Sequence, residues 1–170
     1  MHAPSPPPPW RRAIAMLALV TSAEAVFLLP FVLPRIFRPT MLEVLGLSHW
    51  ELGLAFSAYG TVAMVAYFLG GPIADRVAPR WVMAAALVLT GLGGAALLVD
   101  VTTTSLRLLY AWWGLTSILL YWAALIRATR AWGGDGGDGA AFGLLDGGRG
   151  LLAALISSAS VGLFAWALGG

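Results

Sequence analysis

The segment Gly71-Pro72-Ile73-Ala74-Asp75-Arg76-Val77-Ala78-Pro79-Arg80 sets acid, base, proline and glycine between two apolar runs of helical length. Its flanks, residues 52–69 and 81–99, carry no charged side chain, and each is long enough as a helix for about one bilayer crossing. The decapeptide is therefore expected to be a tight turn at a membrane surface. Composition agrees, with 59% of residues hydrophobic and 11% charged, against about a quarter charged in soluble domains. Mean hydropathy is +0.84. This is the sequence of an integral membrane protein whose first partner is the lipid bilayer.

Several function classes fall away on composition. Without cysteine there is no disulfide framework and no thiolate site, and with only His2 and His49 a histidine-built metal centre is not expected. No cofactor and no catalytic constellation is expected, so the chain does not read as an enzyme. Every basic residue is arginine, and these residues lie at the edges of apolar runs, not in a stripe interleaved with aromatics. The sequence pI near 9.5 thus concerns membrane orientation, and no nucleic-acid partner is expected.

Hydropathy gives five helical spans, at about residues 13–33, 52–69, 81–99, 106–126 and a fifth ending near Leu168. Residues 1–10, MHAPSPPPPW, read as a disordered proline-rich cytoplasmic tail that starts no helix before Trp10, and residues 11–170 as the transmembrane domain. Ser48 with Glu51 predicts a capping box for the second span, and Pro79 suits the first turn of the third. Thr104 or Ser105 can cap the fourth, and Asp138 the fifth. Arg11, Arg12, Arg76, Arg80, Arg127 and Arg130 fall on the side of the N-terminus, and Arg35, Arg38 and Arg107 on the other. That bias puts the N-terminus inside. An odd number of spans then leaves Gly170 outside, directly after an apolar run, and the chain is expected to be incomplete.

The spacing of Gly71, Ala74, Asp75, Arg76 and Arg80 between the second and third spans, with Leu52-Gly53 opening the second, resembles the signature loop of the major facilitator superfamily. In that family the loop reads roughly Gly-x-Leu-Ala-Asp-Arg-x-Gly-Arg-Arg; here Ala78 and Pro79 stand in place of Gly and Arg. The Asp-Arg-x-x-Pro-Arg form is similar to that of the organophosphate:phosphate antiporter branch. The resemblance implies an all-α polytopic bundle, the N-terminal half of a major facilitator fold with about five transmembrane helices. It implies a carrier that rocks two halves about a midplane site, in the bacterial inner (plasma) membrane. Gly71, Asp75, Arg76 and Arg80 would form a gating loop that latches the halves in the outward-facing state. The first and fourth helices would line the substrate path, with Arg35 as the nearest candidate for an anion-binding arginine.

Glu24 lies near the middle of the first span, where an ionisable group costs about 2.5–3.5 kcal/mol unless it faces water or a partner. A carboxyl there can carry a proton or contact substrate, or it can be hydrogen-bonded against a neighbouring helix. Helical spacing puts Thr21, Glu24, Phe31 and Arg35 on one face, although Pro30 and Pro34 are expected to bend or end the helix, leaving Arg35 and Arg38 near the outer surface. In the fourth span Tyr110, Trp113, Ser117 and Tyr121 share a face. Trp113 and Ser117 are deep enough for a cavity, while Tyr110, Trp112, Tyr121 and Trp122 suit interfacial anchoring. The glycine-rich stretch after Trp132 reads as a flexible connector. Gly139, Gly143 and Gly147, and likewise Gly53, Ser57 and Thr61, form small-residue faces for close helix contact, with neighbouring helices or with an absent second half. Asp146 and Arg149 can pair one turn apart; Arg149 is interior, near Glu24 or an anion, if its helix begins near Ala140, and a flanking charge if it begins near Gly150.

These readings converge on half of a secondary transporter for a small organic anion, phosphorylated or not. Glu24, Arg35, Trp113, Ser117 and Arg149 are the expected substrate and proton pathway. Its further partners would be the solute and a second transporter half or another copy. A sugar or drug transporter of the same superfamily, and a split module acting only in packing or assembly, are the alternatives.

Overall fold

The structure is a computed structural model that describes residues 8–99 and 101–169, with side chains throughout these except at 72–75 and 168–169. The expected disorder of the leader concerns residues 1–7, which lie outside the described residues, as does Gly170. The described regular structure is all helical. Helix α1 (Pro9–Ile36) is followed by short α2 (Arg38–Leu45), and then by α3 (His49–Arg76), α4 (Pro79–Leu98), α5 (Thr103–Gly133) and α6 (Asp138–Gly169). Among the described residues, five of these, all but α2, are long and apolar enough to cross a membrane.

Helix α1 starts at Pro9, one residue before the expected Trp10, because proline at the first helical position gives up only an amide that has no partner there. It does not end at Pro30. A π-turn over Leu28–Val32 widens the helix, with the Leu33 amide bonded to the Leu28 carbonyl, and α1 continues to Ile36. Pro34 lacks the amide that would have bonded the Pro30 carbonyl, and the buried Tyr110 hydroxyl donates to that oxygen at 3.1 Å instead. Helix α2 stops at Gly46, whose φ of 63° suits a residue without Cβ.

The charged decapeptide is mostly helix. Helix α3 runs to Arg76 and α4 restarts at Pro79, so only Val77 and Ala78 form the turn, a tighter junction than the apolar lengths implied. Ser48 and Glu51 form the expected box, with Ser48 N–H donating to Glu51 Oε2 at 2.8 Å and Glu51 N–H to Ser48 Oγ at 3.2 Å. The cap of α5 is Thr102, not Thr104 or Ser105; Ser105 closes the box as its third residue. Asp138 is the first residue within α6 and not its cap. The glycine-rich connector is a compact turn of residues 134–137, with Gly134 and Gly136 at φ of 67° and 75°.

The five long helices alternate in direction around α5. Helices α3 and α5 lie parallel and almost backbone to backbone: a Cβ on Gly114 would sit 2.7 Å from the Tyr59 carbonyl oxygen, and one on Gly70 would sit 3.0 Å from that of Leu119. Their starts are tied by Thr103 Oγ1 donating to Glu51 Oε1 at 2.5 Å, and at the other end Arg127 donates to the Val77 carbonyl at 3.3 Å. Helix α4 is held by Trp113 Nε1–H donating to the Thr90 carbonyl at 3.0 Å and by a buried Thr90–Thr116 hydroxyl pair at 2.8 Å. Helix α6 lies along α1, where a Cβ on Gly148 would meet Val20 at 2.8 Å. The expected small-residue faces are not the contacts within this chain, and they stay open to a second half. Gly53, Gly139, Gly143 and Gly147 open onto empty space and Ser57 and Thr61 are exposed, because helix rotation puts Gly70, Gly114 and Gly148 at the close approaches instead.

Candidate functional site

Buried carboxyl and guanidinium groups need partners or water, and α1 and α6 bring one of each together. Since α6 begins at Asp138, Arg149 lies about 16 Å along it, well inside the bundle. Its Nε sits 3.8 Å from Glu24 Oε2, and the Glu24 side chain is 7% exposed. Asp146, one turn earlier and largely exposed, approaches Arg149 Nη1 at 3.5 Å. At 3.8 Å the Glu24 contact is an ion pair without a hydrogen bond, and Arg149 Nε is buried with no hydrogen-bond acceptor. The guanidinium carbon lies 5.6 Å from the Phe27 ring centroid and 5.8 Å from that of Trp122, within cation–π range of both.

This pair lines a cavity of about 850 Å³ between α1, α3, α5 and α6, which also takes in Arg35, Arg38, Phe31, Phe56, Tyr59 and Tyr67. The continuation of α1 through its π-turn puts Glu24, Phe31 and Arg35 on that one wall, and Arg38, read from sequence as an outer anchor, also reaches it. Thr21 does not join them; it is exposed and donates back to the Leu17 carbonyl.

Trp113 and Ser117 are buried beside the cavity and are not among its lining residues. Trp113 is committed to the Thr90 carbonyl, and Ser117 Oγ lies 2.5 Å from the Trp113 carbonyl and 2.7 Å from the Tyr59 hydroxyl. Tyr110 and Tyr121 are fully buried too, the latter donating to Ser22 Oγ at 2.7 Å, so this face of α5 is core and not interfacial. The misplacement follows from helix length: α5 runs to Gly133, which moves Tyr121 and Trp122 from its end to its middle.

Gly71, Arg76 and Arg80 are not among the residues that line this cavity. Gly71 and Arg76 are exposed, Arg80 is exposed with its guanidinium 5.6 Å from the Trp81 ring centroid, and the Asp75 side chain lies outside the described residues. No group of three or more His, Cys, Asp or Glu able to hold a metal occurs among the described residues.

Residues 13–169, nearly the whole membrane domain, match the Major Facilitator Superfamily. The chain belongs to that superfamily. Two proteins of Escherichia coli strain K12 are similar to it: inner membrane protein YihN, 26% identical over 153 residues, 89% of this chain and 36% of that protein, and inner membrane protein YqcE, 28% identical over 142 residues, 84% and 33%. An uncharacterised protein of Mycoplasma pneumoniae is 26% identical over 82 residues, 48% of this chain and 63% of that protein. No solved structure matches. The chain spans about a third of the length of the two Escherichia coli relatives and corresponds to the N-terminal portion of such longer superfamily proteins. As a superfamily member it is an integral membrane module of the secondary-transporter type.

Proposed function

We propose that the chain supplies the cavity-lining N-terminal half of an alternating-access carrier for a small organic anion, with Glu24 as its proton-accepting group. The observation that carries this reading is the approach of Glu24 and Arg149 to 3.8 Å, from different helices, inside one large cavity. Three arginines, Arg35, Arg38 and Arg149, line that space with two carboxylates, Glu24 and Asp146, and the excess positive charge favours an anion. An ionised Glu24 holds Arg149; a protonated Glu24 releases it to the substrate. Proton and anion binding are thereby linked through one guanidinium. A carrier of this kind needs a second helical half, provided by a continuation of the chain, a separate subunit or another copy. Arg11, Arg12, Arg76, Arg80, Arg127 and Arg130 favour a cytoplasmic N-terminus, and the printed names of the Escherichia coli relatives favour the bacterial inner membrane. The Gly71-to-Arg80 segment then lies at the cytoplasmic edge, where Asp75 and Arg76 would latch the second half.

The test is pH-gradient-driven uptake of organic anions into proteoliposomes holding the completed carrier. Glu24→Gln should abolish gradient-driven uptake while the protein still inserts. Undiminished uptake would remove Glu24 from the mechanism.

A further inference from the structure

Resting on the anion reading above, we infer that the substrate is an anion with a flat apolar ring as its body, of the aromatic carboxylate class. A run of rings leads away from Arg149 along the cavity wall. Trp122 and Phe27 are 6.2 Å apart between centroids, Phe27 and Phe31 are 6.2 Å apart, and Phe31 stacks on Phe56 at 5.7 Å and meets Tyr59 edge-on at 4.7 Å. All five rings line the same cavity, and the separations are those at which aromatic rings attract one another. Arg149 sits at the head of this wall between Phe27 and Trp122, with its buried Nε lacking an acceptor. A carboxylate received there lays the rest of its molecule along the rings.

The wall does not suit a sugar. Its hydroxyls are those of Tyr59, already paired with Ser117 at 2.7 Å, and of Tyr67. A polyhydroxylated body laid along the rings would exchange water for apolar faces, and its hydroxyls would find partners only where it reaches the carboxylates and arginines.

Equilibrium dialysis of the purified chain in detergent against carbon-14 benzoate tests this, with acetate, glucose 6-phosphate and benzamide as competitors. Benzoate should compete at least about tenfold better than acetate, from burial of the ring, and neutral benzamide should not compete. Arg149→Gln should abolish binding. Phe31→Leu, with helical content verified by circular dichroism, should weaken benzoate while leaving acetate unchanged. Equal competition by acetate or glucose 6-phosphate overturns the ring-bearing class and leaves the anion reading standing. Equal competition by benzamide marks a merely apolar pocket. If the folded chain binds none of the anions, the anion reading falls as well.

Discussion

Gly114→Ala should separate two helices that now touch through their backbones. The added Cβ would lie 2.7 Å from the Tyr59 carbonyl oxygen and 3.4 Å from the Tyr59 carbonyl carbon and Cα. An ordinary carbon–oxygen contact is about 3.3–3.6 Å, so α3 and α5 must part by roughly 0.6 Å or more. Neither side of this contact is a flexible side chain, and overpacking of that kind costs about 1–3 kcal/mol. Alanine also gains about 0.8–1.0 kcal/mol of helix propensity over glycine, which masks part of the loss. Gly91→Ala supplies the matched control, since a Cβ there meets nothing within 4 Å. The two variants should therefore differ by about 1–3 kcal/mol when unfolded by SDS in mixed micelles and followed by circular dichroism. A difference under about 0.5 kcal/mol would refute the close approach of α3 and α5. The displacement also bears on the site, because Tyr59 lines the cavity and holds Ser117 less than one turn beyond Gly114.

Thr90→Val removes one hydroxyl of the buried pair and leaves Thr116 with only a 3.4 Å contact to the Trp113 carbonyl. A loss of about 1–3 kcal/mol is expected in the same titration, and an unchanged midpoint would show that Thr116 finds another partner. Asp75→Asn should leave benzoate binding intact but slow exchange by the completed carrier; unchanged exchange kinetics would reduce the Gly71-to-Arg80 segment to a topological marker.

The number of spans was legible because membrane helices must satisfy their own backbone groups and so announce themselves as apolar runs. Their ends were not, because a helix can continue past its apolar core, even through residues that disfavour it. Thus α3 carries on through Gly71 and Pro72 to Arg76, and α5 continues to Gly133. The Glu24 candidate and the conditional pairing with Arg149 were available from hydropathy alone, while the condition itself, where α6 begins, was hidden in a glycine-rich run with weak helix preference. Spacing showed which residues of α5 share a face but not what that face meets. Trp113 and Ser117 turned out to face α3 and α4, not the cavity. The ring wall was overlooked although Glu24, Phe27, Phe31 and Arg35 recur at intervals of three and four; its contribution from α3 and α5 depends on tertiary packing that no spacing rule reports. The same holds for the glycines, where rotation decides that Gly148 packs and Gly147 does not.

The absence of native cysteine makes water access to the cavity directly measurable by single-cysteine labelling in sealed vesicles. Ala153→Cys places a thiol on the cavity wall, and Leu163→Cys places one on an exposed apolar part of α6 away from it. A water-filled transport cavity predicts that the first reacts rapidly with a charged, membrane-impermeant thiosulfonate, that benzoate slows that reaction, and that the second stays inert. Equal reactivity at the two positions, or labelling of Ala153→Cys that no anion slows, would contradict the cavity's role as the substrate path.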